Sequence, residues 1–213
     1  MRRPARSAIP SRWFVGVVGL INDVTMLAVL PAGAAVIRER EHGTLDHLLV
    51  MPVSPPEIAL AKPRANGLVI TVATGLSLWF VVHQAVGMPI AGSIPAFLLG
   101  VALHLFFATA VGLRLGTVAR SMPQLGLLFI LLVLPMSILS GGNPPFESMP
   151  PALQIIMSAF PSTHVVAFAQ AILYRGAGLD IIWPQFLATG AIGALVMAAA
   201  LPRFRIAMAR AVG

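Results

Sequence analysis

The sequence predicts an all-α integral membrane protein, a polytopic bundle of about five transmembrane helices with short cytoplasmic and re-entrant helices. Of its 213 residues, 58% are hydrophobic and 10% are charged, whereas soluble domains average about 25% charged residues. A chain this poor in polar side chains cannot cover a water-exposed surface, so much of it must face lipid or other helices. Its apolar runs are long and lack the alternation of a β-barrel strand, which favours helices.

Five segments are long enough to span a membrane, since about 20 apolar residues rising 1.5 Å each cross a hydrocarbon layer of roughly 30 Å. The predicted spans are residues 13–37, 66–88, 94–118, 123–140 and 181–201. Small residues recur within them, such as Gly112 and Gly116 at a four-residue spacing. Because this spacing lets helix backbones approach closely, we interpret the two glycines as packing positions.

These spans belong to a single membrane domain over residues 13–205. The other parts are a basic tail (1–12), a loop (38–65), an outer segment (141–180) and a second tail (206–213). Prolines divide the outer segment into short pieces, and we expect residues 152–160 and 163–174 to dip into the membrane interface as short helices.

The basic residues predict the orientation of the chain. The formal net charge is +7, but the basic residues lie between apolar runs rather than in a stripe with interleaved aromatics, so we expect no nucleic-acid partner. If loop 38–65 is cytoplasmic, only Arg175 lies in an outer loop. The inside residues are then Arg38, Arg40, Lys62, Arg64, Arg114, Arg120, Arg203, Arg205 and Arg210. This bias favours a cytoplasmic loop. The four arginines of tail 1–12 break it, since five spans place them outside, so either the tail is tolerated there or a preceding helix that relatives have is missing.

The N-terminal residues also fit a secretory signal peptide, with an Arg-rich start before an apolar run. However, the run from Trp13 to Ile37 is longer than a signal core and contains Asn22 and Asp23. We therefore expect it to remain as the first span.

Loop 38–65 contains a predicted pair of short helices. Thr44 can cap the first, Leu45, Leu48 and Leu49 share one face of it, and Pro52 ends it.

The second begins with a capping box at residues 54–57 and is expected to end at Lys62 and Pro63. The exposed leucines of this helix pair suit either docking on a soluble partner or packing on the membrane surface, and the residues alone leave both open.

The run from Ile37 to Lys62, IREREHGTLDHLLVMPVSPPEIALAK, resembles the first intracellular loop of type-2 (ABC-2) permeases of ATP-binding cassette exporters. The similarity continues through residues 119–124 and 140–150 to about Arg205. The resemblance implies that the loop inserts into an ATP-binding subunit and passes its motion to the membrane bundle. By position, this docking role falls on Glu39, Glu41, Gly43, Thr44, Leu45, Leu48 and Leu49.

The resemblance further implies the transmembrane subunit of an exporter in the bacterial inner membrane, which pairs with itself or a sister chain and with an ATP-binding cassette ATPase. The sequence has no G-x-x-x-x-G-K-[ST] phosphate-binding loop. We therefore expect no enzyme activity and no cofactor on this chain, with ATP and Mg²⁺ on the partner. Family members usually have six spans, so the chain resembles the C-terminal part of such a permease.

Polar residues inside the spans are the remaining candidates for a site. Asn22, Asp23 and His104 could line a translocation path or a proton relay, or could simply bond to neighbouring helices. An Asp at the bilayer centre costs roughly 2.5 to 3.5 kcal/mol, so we expect Asp23 to face the bundle or a cavity. The spacing of His residues suits no zinc site, and we expect no bound metal.

By family likeness, the outer segment lines an outer gate, where Phe146, Glu147 and His164 could meet substrate or form a structural cap. Two other functions stay open: an intramembrane enzyme that uses Asp23 and His104, and a truncated membrane scaffold that transports nothing.

Overall fold

The computed structural model describes residues 11–42, 55–140 and 149–212, with side chains described over 13–41, 65–140 and 149–204. These residues form α-helices and contain no strand. In chain order the helices are α1 (Ser11–His42), α2 (Pro55–Ser77), α3 (Ile94–Val118), α4 (Met122–Ile138), α5 (Pro151–Ser158), α6 (Pro161–Arg175) and α7 (Leu179–Val212). A π-helical segment, Leu78–Ala85, extends α2.

Four helices, α1, α2, α3 and α7, are long and apolar enough to cross a membrane. The pair α5 and α6 is bent by 91° and is either a broken span, which would be the fifth, or a re-entrant loop. The helix α4 is shorter, with 17 residues. The predicted all-α polytopic membrane fold is confirmed.

The helix α3 is the centre of the bundle. In the most apolar window of this helix 67% of the residues are buried, against 33% for α1 and 22% for α2 and α7. Ser93 caps its N-terminus, where the Ser93 side chain accepts a bond from the Ala96 amide, and Ser121 does the same for the following helix α4. The large apolar side chains at the bundle centre include Phe97, Leu78 and Phe168, all fully buried.

The second predicted loop helix does not end at Lys62 and Pro63. Instead, α2 runs without a break from Pro55 into the membrane. Pro63 removes one backbone hydrogen bond and crowds the carbonyl four residues earlier, which can kink a helix without ending it. The alanines around Pro63 are strong helix formers, so the helix continues. The expected end was therefore wrong, while the first predicted loop helix, at residues 44–51, lies outside the described residues.

The helices at both ends of the domain extend beyond the predicted spans. The helix α1 reaches His42 rather than residue 37, and α7 reaches Val212 rather than residue 201. The α1 extension consists mostly of arginine and glutamate and the α7 extension is rich in arginine and alanine, all residues that favour a helix in water. Hydropathy therefore marks where a helix leaves the membrane but not where the helix ends.

Candidate functional site between helices α1 and α3

Helices α1 and α3 pack backbone to backbone through glycines. A Cβ atom at Gly112 would overlap the carbonyl oxygen of Val29, and one at Gly116 would lie 2.6 Å from the carbonyl oxygen of Gly33. The side chain of Leu125, from α4, closes over Gly33. The packing role predicted for Gly112 and Gly116 is therefore confirmed, since only a residue without a Cβ fits at either position.

Arg40 joins the C-terminal ends of the same two helices. Its Nη2 donates to the carbonyl oxygen of Gly116 at 2.5 Å, and its Nη1 donates to that of Ala119 at 3.3 Å. The last carbonyls of a helix lack partners within the helix, and a positive charge is favourable beside them. The Arg120 amide bonds instead to the Gln124 side chain at 2.7 Å, which leaves the Gly116 carbonyl to Arg40.

His104 is a buried helix-to-helix contact. The ring is 1% exposed, and its Nε2 lies 2.7 Å from the hydroxyl of Thr25 on α1. Because that hydroxyl donates to the Ile21 carbonyl at 2.8 Å, Nε2 must carry the proton and donate to Thr25. The Nδ1 atom is buried and has no hydrogen-bond partner among the described residues.

Asp23 does not face the interior of the bundle. Its side chain is exposed on the outer side of α1, and the neighbouring Asn22 is half-buried. The expectation that Asp23 faces the bundle or a cavity is therefore not met within the described residues, where its side chain is exposed. The structure also separates Asp23 from His104, which contacts Thr25 instead. A role for Asn22, Asp23 or His104 on a translocation path stays a prediction.

Only part of the predicted docking and gate sets lies in the described residues. Glu39 is half-buried and Glu41 exposed at the end of α1. His164 lies in the first turn of α6, where its Nε2 is 2.8 Å from the Ser158 carbonyl oxygen across the corner between α5 and α6. The remaining residues, Gly43, Thr44, Leu45, Leu48, Leu49, Phe146 and Glu147, lie outside the described residues.

A cleft of about 160 Å³ lies between residues 28–38 of α1 and residues 66–70 of α2. Small residues such as Ala35 and Gly67 line it, together with Arg38. Pro31, also in its wall, has no N–H to donate to the Leu27 carbonyl. The Nδ2 atom of Asn66, from α2, approaches this carbonyl at 3.5 Å. At the level of this cleft the two helices therefore meet through a long polar contact.

Sequence reasoning missed the roles of Arg40, Thr25 and Asn66. Arg40 was counted only as a cytoplasmic charge, yet an arginine at the end of one span and small residues at the end of another were the signal for a capping contact. A threonine or asparagine in a span gives no such signal, because its partner lies on a helix distant in sequence. Among the described residues no group of three His, Cys, Asp or Glu side chains could hold a metal ion.

A bundle of long apolar helices around a buried central helix defines a multi-pass membrane protein. The chain belongs to the family described as ABC-2 type transporter, which it matches over residues 10–174. This confirms the resemblance drawn from the loop and the outer segment.

Two kinds of curated relative are similar to the chain. It is 58% identical over 193 residues to proteins named inner membrane transport permease YhhJ in Escherichia coli K12 and Shigella flexneri. It is 30% identical over 199 residues to the probable multidrug ABC transporter permease YbhR of Escherichia coli K12. Each match covers 91% of this chain and 52% of the relative, so the chain spans about half the length of these proteins.

Proposed function

We propose that the chain is a membrane-spanning part of an ATP-driven exporter of the bacterial inner membrane, coupled to a separate ATP-binding subunit. The observation that carries the proposal is the family match across the loop that enters from α1. The relatives support it further, since their names specify an inner membrane transport permease and a multidrug ABC permease. Efflux is the direction that the second of these names favours.

The energy source in this proposal is the partner subunit. The sequence contains no phosphate-binding loop motif, so ATP and Mg²⁺ would bind to the ATPase. The loop residues Leu45, Leu48 and Leu49 would fill a groove on that subunit, and their motion would reach the bundle through α1.

A second copy of the chain completes the proposed transporter. Near the middle of α1, Asp23 is exposed, and lipid is a costly environment for a carboxylate. On the same face, one and two turns away, a Cβ at Gly19 or Gly16 would meet nothing within 4 Å. Another helix can therefore approach this face closely. In a two-fold pair Asn22 of each copy can donate a hydrogen bond to the Asp23 carboxylate of the other copy.

The docking step predicts that Leu45, Leu48 and Leu49, changed together to Asp, break the complex with the ATPase. Three carboxylates cannot enter an apolar groove without partners, so ATP hydrolysis that co-purifies with the tagged chain should fall more than tenfold. The loop variant Val53→Asp, outside the docking set, should retain it. Membrane insertion, measured by alkaline extraction, should be unchanged in both variants.

Retention of the ATPase by the triple variant would refute the docking role. Two further measurements, activity of the triple variant and efflux after deletion of the chain, separate the two other functions. An intramembrane enzyme would keep its activity after the triple change, and a scaffold would bind the ATPase while its deletion leaves efflux unchanged.

A further inference from the structure

The contacts between α1 and α3 are repeated at four levels along the pair. From the middle of the membrane to the loop they join Thr25 to His104, Val29 to Gly112, Gly33 to Gly116, and Arg40 to the carbonyls of Gly116 and Ala119. The two helices run in the same direction, because the residue numbers of the contact partners increase together along α1 and α3. Tight backbone packing at successive levels makes the two helices one rigid body.

The lower part of α1 nevertheless contains a point at which it could bend. Pro31 removes one backbone hydrogen bond, and prolines are the usual cause of helix kinks. A cleft lined by α1 residues on both sides of Pro31, from Ala28 to Arg38, separates α1 from α2. On the loop side of Pro31, Gly33 and Val36 pack on Gly116, and Arg40 adds a polar contact to α3 one turn further along α1.

Arg40 is held in an unusual way for a charged side chain. Its two bonds go to backbone carbonyls, and its Nε is buried without a hydrogen-bond partner among the described residues. The guanidinium therefore acts as a cap for the C-terminus of α3 that is supplied by α1. Arg40 lies three residues before Gly43, so this cap comes directly before the loop that the proposed ATPase would bind.

We propose that Arg40 is a positioning residue that locks the end of α1 to the last turn of α3, so that a displacement of the loop moves both helices together relative to α2. This inference rests on the proposed function, because it needs a partner that moves the loop. Without the lock, a pull on the loop separates the last turn of α1, beyond the Val36 contact with Gly116, from the end of α3.

Spin-label distances test the lock without any substrate, in a chain that has no native cysteine. One pair of labels, at Arg38→Cys and Val118→Cys, reports the distance between α1 and α3. A second pair, at Leu68→Cys and Val118→Cys, reports the distance between α2 and α3. These positions are exposed on their helices. Distances are measured on the complex with its ATP-binding subunit in lipid nanodiscs, with and without a non-hydrolysable ATP analogue.

In the otherwise unchanged chain the nucleotide should shift the α2–α3 distance by about 2 Å or more and leave the α1–α3 distance unchanged. In Arg40→Ala the nucleotide should change the α1–α3 distance as well. Arg114→Ala is the matched control, since Arg114 also bonds a helix carbonyl, that of Ala199 at 3.1 Å, but joins α3 to α7. Arg114→Ala should behave as the unchanged chain does.

An α1–α3 distance that the nucleotide leaves constant in Arg40→Ala would overturn the inference, and so would one that changes in the otherwise unchanged chain. If Arg40→Ala does not assemble, Arg40→Lys decides the same question, because lysine keeps the charge but cannot reach two carbonyls with a planar fork. A complex that binds no nucleotide and shows no α2–α3 change defeats the proposed function instead, so the two failures are distinguishable.

Discussion

Gly112→Leu should reduce the equilibrium constant for folding at least tenfold, with a lower unfolding midpoint and a lower yield of folded chain, whereas Gly126→Leu should leave all three nearly unchanged. A Cβ at Gly112 overlaps the Val29 carbonyl oxygen and lies 2.8 Å from the Ala32 Cβ, while a Cβ at Gly126 meets nothing within 4 Å. Overpacking of a tight interface costs typically 1 to 3 kcal/mol, and 1.4 kcal/mol corresponds to a factor of ten. Because the Val29 carbonyl oxygen is a backbone atom and cannot rotate away, we expect the free-energy cost of Gly112→Leu to lie at the upper end of this range.

The two glycine variants are a matched pair, because both add the same apolar side chain to a helix of the bundle and so do not weaken insertion by hydropathy. The measurement is the monodisperse fraction in size-exclusion chromatography after detergent extraction, followed by the midpoint of thermal unfolding. Equal yields and midpoints for Gly112→Leu and Gly126→Leu would show that α1 and α3 do not pack as described.

Asp23→Asn should lower efflux at least tenfold while insertion stays intact. In the proposed pair of copies the Asp23 carboxylate accepts hydrogen bonds across the interface. An amide there has half the acceptor capacity and no charge, so polar contacts inside a low-dielectric interface are lost. Efflux is measured in cells that express the chain with its ATPase, and insertion by alkaline extraction. Equal efflux by Asp23→Asn and the unchanged chain would show that the Asp23 carboxylate has no role in efflux.

Cysteine cross-linking tests the same face directly. Gly19→Cys, one turn from Asp23, should form a cross-linked dimer in membranes under mild oxidation. Leu195→Cys is the control, because Leu195 is 70% exposed on α7 but lies on a face with no polar residue to cover. A dimer that forms equally at both positions, or only at Leu195→Cys, would contradict the proposed interface.

The sequence predicts the membrane fold well because the hydropathy of long segments decides which of them span the membrane. The hydrophobic run of α3, residues 94–118, coincides with the observed helix. Prediction was poorer wherever a helix leaves the membrane, since hydropathy no longer distinguishes helix from loop there. Pro63 is the clearest case. The prediction ended a helix there because proline disfavours a helix interior, whereas in the structure α2 continues through it among strong helix-forming alanines.

The candidate site was only partly predictable. The glycine spacing of Gly112 and Gly116 indicated close packing, and the structure supplies its partner, α1. The pairing of Asp23 with His104 was suggested by their shared place inside spans, yet which face a polar residue occupies depends on tertiary packing. Arg40 needed the structure for the same reason, since its carbonyl partners are 76 and 79 residues away.

Labelling of single cysteines in the loop at residues 43–54 tests the account most directly, with Thr44→Cys as the first position. A membrane-impermeant maleimide added to intact cells should leave Thr44→Cys unlabelled, and the same reagent added to inverted membrane vesicles should label it. Labelling in intact cells would place the loop on the outer face, where an ATP-hydrolysing subunit cannot reach it, and the exporter assignment would be contradicted.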